Sequence, residues 1–112
     1  MISGANRGLG NAIARRLYSD GYNVSVGGRD VEALRRSMEG CEDSRVLCHR
    51  YDAAEPGTDA TWLNATVERF GSLSGLVNNA GIIDTAGLEA LTEDGLDALW
   101  SVNVKAPFRM IQ

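Results

Sequence analysis

Histidine and lysine each occur once in this chain, and proline and cysteine twice each; each scarcity removes a class of protein. Cys41 and Cys48 stand seven residues apart, with no Cys-x-x-Cys pair and no second histidine to complete a metal shell, so they read as two small, partly buried thiols. His49 lies in an apolar stretch with neither a nucleophile elbow nor a paired acid around it, which removes serine-hydrolase chemistry and leaves a strand histidine. The basic residues are ten scattered arginines and Lys105, and the net charge is −4 with a pI near 4.9. A nucleic-acid binder or an anionic-membrane binder would need a basic patch, so neither partner is expected. No apolar run approaches the ~20 residues of a membrane span. No signal-peptide pattern opens the chain, and the expected compartment is the cytoplasm.

Glycine, by contrast, is plentiful, at 13 of 112 residues, and three fall within "SGANRGLG", residues 3–10. Around them, short apolar runs alternate with helical patterns, as repeated strand–helix–strand units do, so the fold class is α/β with a parallel sheet. Leu9, Ile13 and Leu17 share one helical face, and Asp20-Gly21 ends that helix. Tyr22–Val26 reads as a strand, Gly27-Gly28 as a turn, and Asp30 as the N-cap of a helix carrying Leu34 and Met38. Residues 45–52 form a third strand, and Pro56-Gly57 leads into a helix striped by Leu63, Val67 and Phe70 that ends at Gly71. Residues 73–79, "LSGLVNN", form the fourth strand, and Thr92 opens a last helix with Leu96, Leu99 and Trp100.

The glycines therefore lie between a very short first strand and the first helix, where backbone N–H groups can approach a phosphate at the positive end of the helix dipole. The spacing, Gly4, Gly8 and Gly10, is neither a Walker pattern nor Gly-x-Gly-x-x-Gly. A second constellation, "NNAG" at Asn78–Gly81, ends the fourth strand. In open α/β sheets the ligand sits beyond the carboxyl ends of the strands, where such asparagines can bond a ribose.

Together, the Gly-x-x-x-Gly-x-Gly turn, "NNAG", Asp52-Ala53 and "SVNVKAPF" at 101–108 resemble the short-chain dehydrogenase/reductase family, ordinary branch, across the whole chain. The resemblance implies a Rossmann-type doubly wound parallel sheet, here incomplete, with about four strands in the order 3-2-1-4 and a truncated first strand. It implies that the cofactor pyrophosphate faces the turn built from Gly4, Asn6, Gly8, Leu9 and Gly10, with Ser3 in place of the family's threonine. It further implies that Asp52 and Ala53 border the adenine, that Asn79, Ala80 and Gly81 line a ribose, and that Asn78 ties the central strands. Asn103 resembles the asparagine of the catalytic tetrad, which holds a local helix distortion.

Within that resemblance, charge argues for NADP over NAD. The acid that would select NAD belongs at the end of the second strand, where Gly28 stands. Arg29 follows it, and Arg7 occupies a second position at which NADP-preferring relatives carry a cation; two guanidiniums can bracket a 2′-phosphate. Asp30 is then only a helix cap.

The family's chemistry is hydride transfer between nicotinamide and a small carbonyl or alcohol substrate, using a serine and a Tyr-x-x-x-Lys pair. Ser101 stands four residues before the only lysine, so Tyr18, Tyr22 and Tyr51 are excluded from that pair and read as packing residues. The expectation is a partial NAD(P)-binding Rossmann domain over residues 1–112, lacking a catalytic C-terminal half and inactive alone, from a parent that is a homo-oligomer. Two alternatives are a non-catalytic dinucleotide-binding module and a sugar-nucleotide epimerase or dehydratase of the extended branch.

Overall fold

The alternation in Val24–Gly28 sends Val24 and Val26 to one face and Ser25 and Gly27 to the other. This strand, β2, is buried throughout and forms the centre of the sheet in the computed structural model, which describes residues 1–112. On one side β1, Ile2–Ser3, pairs in parallel with Ile2 opposite Val26 and Ser3 opposite Gly27. On the other side β3, Val46–Arg50, runs parallel from Val24 opposite Val46 to Gly28 opposite Arg50. Residues 73–79 take the fourth place, beyond β1. They reach only a single bridge, Ile2 to Val77, in which the Ser3 amide donates to the Val77 carbonyl at 3.0 Å and the Val77 amide to the Met1 carbonyl at 2.8 Å. The spatial order is the expected one; the fourth segment stays short because a two-residue β1 offers it little to pair with.

Helices cover both faces, so the sheet is doubly wound. Against one face α1 (Gly8–Ser19) and α2 (Val31–Ser37) bury Ala14, Leu34 and Met38 with Ile2, Val24 and Val26. Against the other, α3 (Thr58–Phe70) and α5 (Ala106–Ile111) bury Trp62 and Ala106 with Met1, Tyr51 and Ala53. Asp30 caps α2, its carboxylate accepting from the Ala33 amide at 2.9 Å. Thr92 caps α4 (Glu93–Trp100) through the Gly95 amide at 3.1 Å. Between α4 and α5, Ser101–Lys105 form a wider π-helical turn, so residues 93–111 make one continuous distorted helix. No helix is long and apolar enough to cross a membrane.

Several local expectations need correction. Gly27 and Gly28 are not a turn but the end of β2, where a β-carbon on Gly27 would fall 2.6 Å from the Trp62 ring. The indole occupies that space, its Nε1 donating to Ser25 Oγ at 2.8 Å. Thr66 Oγ1 donates to the Trp62 carbonyl, so the 2.8 Å contact between the Ser25 and Thr66 hydroxyls is donated by Ser25. The strand accordingly starts at Val24, leaving Tyr22 outside it and 56% exposed. Leu9 is 69% exposed rather than part of the core face of α1, whose buried residues are Gly10 and Ala14. In α3 the buried stripe is Thr58, Trp62 and Thr66, and Leu63 and Val67 face solvent. Tryptophan's larger apolar area decides which side of that helix turns inward.

Candidate functional site

The residues singled out lie at or just past the carboxyl end of a strand or of the 73–79 segment, or in the first turn of α1. Gly4 follows β1, Arg29 follows β2, Asp52 and Ala53 follow β3, and Ala80 and Gly81 follow the 73–79 segment. Parallel pairing brings these ends to one edge of the sheet.

The glycine turn is tied to the fourth segment by the side chains of Ser3 and Asn79. Ser3 Oγ accepts from the amides of Asn79 at 3.0 Å and Ala80 at 2.9 Å. Asn79 Nδ2 donates back to the carbonyls of Ser3 at 3.0 Å and Gly4 at 3.2 Å. The strand-tying asparagine is therefore Asn79, not Asn78, whose exposed side chain makes no hydrogen bond to the protein. Gly4 takes φ +66° and Gly8 φ +57°, the left-handed region that glycine enters freely. No atom approaches the position of a β-carbon on Gly8, whereas one on Gly10 would fall 2.4 Å from Asn79 Nδ2.

This arrangement leaves the N-terminus of α1 open. Arg7, its N-cap, is extended at φ −162° and makes no capping bond, and no acid stands in the first turn. The first N–H groups of the helix thus have no side-chain acceptor, unlike those of α2 and α4. Leu9 lies exposed beside them, and Asn6 is half-buried. Arg7 and Arg29 are exposed, and neither guanidinium has a carboxylate or carbonyl partner. Asp30, by contrast, is committed to its cap on α2.

The loop after β3 is tightly bound. The Asp52 carboxylate accepts from the Ala54 amide at 3.0 Å through Oδ1, and Thr58 Oγ1 donates to the Asp52 carbonyl at 2.9 Å. Ala53 is buried beside Tyr51, whose ring lies 5.1 Å from that of Trp62. Burial pushes the Tyr51 phenol up, against the lowering influence of the Arg109 charge. Asn103 sits in the π-helical turn, as the expected helix distortion requires. Its Oδ1 accepts from the Ile82 amide at 3.0 Å, and its Nδ2 donates to the Ile82 carbonyl at 2.8 Å, fixing the backbone just after Gly81. The π geometry carries no signal in the residue pattern itself.

No three His, Cys, Asp or Glu side chains converge in the structure. Two grooves, of about 260 and 430 Å³, lie elsewhere, and the glycine turn lines neither. The strand-end site presents backbone N–H groups, exposed arginines and amides. Its donor set fits a phosphorylated, ribose-bearing ligand.

Residues 1–112 match the family model described as short chain dehydrogenase. The chain is 40% identical over 113 residues to agropine synthesis reductase of Rhizobium rhizogenes, an alignment covering 100% of this chain and 26% of that protein. A short chain dehydrogenase from Burkholderia cenocepacia J2315, solved in complex with NADP, superposes with a TM-score of 0.91 at 36% identity, over 99% of this chain and 46% of its own. A 3-ketoacyl-(acyl-carrier-protein) reductase from Brucella melitensis, complexed with NADH, gives a TM-score of 0.91 at 28% identity, over 98% and 45%. The chain thus spans about a quarter of the first protein and a little under half of the other two.

Proposed function

The chain belongs to the short-chain dehydrogenase family, and from that membership we propose that residues 1–112 hold the nicotinamide dinucleotide of an oxidoreductase acting on a small carbonyl or alcohol substrate. The observation that carries this reading is the uncapped N-terminus of α1, opened by Gly8 and braced by Asn79. When bound, the dinucleotide supplies or accepts the hydride. This chain's residues do the holding. The amides of Gly8, Leu9 and Gly10 face the pyrophosphate with Gly4 and Asn6 beside them, Asp52 and Ala53 border the adenine, and Asn79–Gly81 line the ribose nearer the nicotinamide. Asn103 holds that last segment in place through Ile82. In this reading the serine and the Tyr-x-x-x-Lys pair that manage the substrate's proton lie outside residues 1–112.

NADP is the preferred cofactor in this proposal. Arg7 and Arg29 are free cations at the strand edge, no acid stands at Gly28, and Asp30 is spent on α2. The test is a titration of the protein with NADPH and with NADH, followed by nicotinamide fluorescence. Binding in the ~1 µM–1 mM range, tighter for NADPH, is expected. Tighter NADH overturns the preference, and binding of neither overturns the function.

A further inference from the structure

The distorted helix 93–111 touches the strand-end loops at two places. Through Asn103 it holds Ile82, and six residues on, through Arg109, it holds the loop after β3. The Arg109 guanidinium divides its donors in two directions. Nε donates to Asp59 Oδ2 at 2.8 Å, and Nη2 donates to the Ala53 carbonyl at 2.8 Å. Both charged side chains are largely buried, at 22% and 12% exposure. Asp59 is itself fixed from the other side, its Oδ1 accepting from the amides of Gly57 at 3.0 Å and Ala60 at 2.8 Å. Arg109 is the only protein donor to the Ala53 carbonyl. A planar fork can serve a carboxylate and a carbonyl at once in fixed directions, whereas an ammonium cannot hold both so rigidly.

We propose that Arg109 is a positioning residue for the adenine end of the dinucleotide: it pins the Ala53 backbone to α3 and α5 and thereby sets where the neighbouring Asp52 carboxylate points. This rests on the reading above that Asp52 and Ala53 border the adenine. Asp52 Oδ1 is taken by the Ala54 amide, while Oδ2 has no protein partner and stays available to a ligand donor such as an exocyclic amine. The direction of Oδ2 follows the backbone on both sides of it. Thr58 fixes the Asp52 end of that backbone and Arg109 fixes the Ala53 end. One helix thus sets the separation between the two loops assigned to opposite ends of the cofactor, with Asn103 acting at one end and Arg109 at the other. A pair that served stability alone would affect both ends equally.

The experiment compares two cofactor fragments on the purified protein, 5′-AMP and reduced nicotinamide mononucleotide, titrated by NMR against wild type, Arg109→Met and Arg109→Lys. The expected result is a loss of about tenfold in 5′-AMP affinity for Arg109→Met. Reduced nicotinamide mononucleotide should stay within about twofold in the same variant, and Arg109→Lys should recover part of the loss. Equal weakening of both fragments, or unchanged 5′-AMP binding, overturns the proposal. If wild type itself fails to bind 5′-AMP, the assignment of the loop to adenine falls and this inference with it. If wild type binds and Arg109→Met binds equally, only the role of Arg109 falls. Where Arg109→Met does not fold, as judged by circular dichroism, Arg109→Lys decides alone: a selective loss of 5′-AMP affinity supports the role, and no selectivity overturns it.

Discussion

Gly10 approaches Asn79 so closely that a β-carbon on it would fall 2.4 Å from the Asn79 Nδ2 and 2.5 Å from the Gly4 carbonyl oxygen. The second of these atoms is backbone and cannot swing aside, so Gly10→Ala must push α1 away from the turn. A destabilisation of about 1–3 kcal/mol is expected, with dinucleotide binding lost alongside. Gly8→Ala has open space but a φ of +57°, and should cost only about 1–2 kcal/mol of backbone strain. Urea melts of the two variants beside wild type check the ranking.

Ser3 carries the other half of the brace. Its side chain is the acceptor for the Asn79 and Ala80 amides, so Ser3→Ala leaves two partly buried donors unpaired. The expected cost is about 1–3 kcal/mol. Ser3→Thr keeps the hydroxyl and should stay within about 1.5 kcal/mol of wild type, the added methyl being the only new demand on a buried position. A thermal melt in which the alanine and threonine variants coincide would remove the hydroxyl from the argument.

Much of this was legible in the residues because it is local. The glycine turn, the Asp30 and Thr92 caps and the stop at Gly71 each depend on a few neighbouring residues, and each stands where the pattern puts it. What was misread depends on partners distant in sequence. Gly27 reads as a turn residue until Trp62, thirty-five positions later, is laid over it. Leu63 and Val67 form a plausible apolar stripe until that same tryptophan claims the inward face of α3. Of the two adjacent asparagines, periodicity cannot say which turns toward β1; the Ser3 and Gly4 carbonyls select Asn79. Arg109 gave no signal at all, since its partners Asp59 and Ala53 lie fifty or more residues upstream.

Acid should weaken the fold through Asp59. Burial pushes its carboxyl up, but the Ala60 amide, the Arg109 guanidinium and the Gly57 amide outweigh that, and its pKa lies below the ordinary 3.8. The ionised form is therefore the one that folding favours. Its contribution is complete above pH 3.8 and drains away as the pH falls through the folded-state value. Asp59→Asn should cost about 1.5–3 kcal/mol at neutral pH. That gap should narrow below pH 4. Denaturant midpoints for both proteins from pH 7 to pH 2.5 test it, and a gap that stays constant with pH would exclude the carboxylate as its source.

In the proposed binding mode cofactor choice should be reversible at Gly28, where an added side chain starts from ordinary contacts. A β-carbon on Gly28 would meet Leu34 Cδ2 at 3.5 Å, an ordinary contact, and Gly28 does not have a positive φ. Gly28→Asp should therefore fold, placing a carboxylate at the end of β2 beside Arg29. In the proposed binding mode that carboxylate accepts from a ribose 2′-hydroxyl and repels a 2′-phosphate, so NADPH affinity should fall by about 2 kcal/mol or more while NADH gains. Arg7→Ala and Arg29→Ala act on the attractive side of the same balance. Each should weaken NADPH by about 5–20-fold and leave NADH within about twofold, with a salt dependence for NADPH that the alanine variants lose. Fluorescence titrations at low and high ionic strength separate these outcomes. If all three variants changed NADPH and NADH in parallel, the two arginines would be acting on something common to both dinucleotides, such as the pyrophosphate at the N-terminus of α1, and the 2′-phosphate assignment would fail.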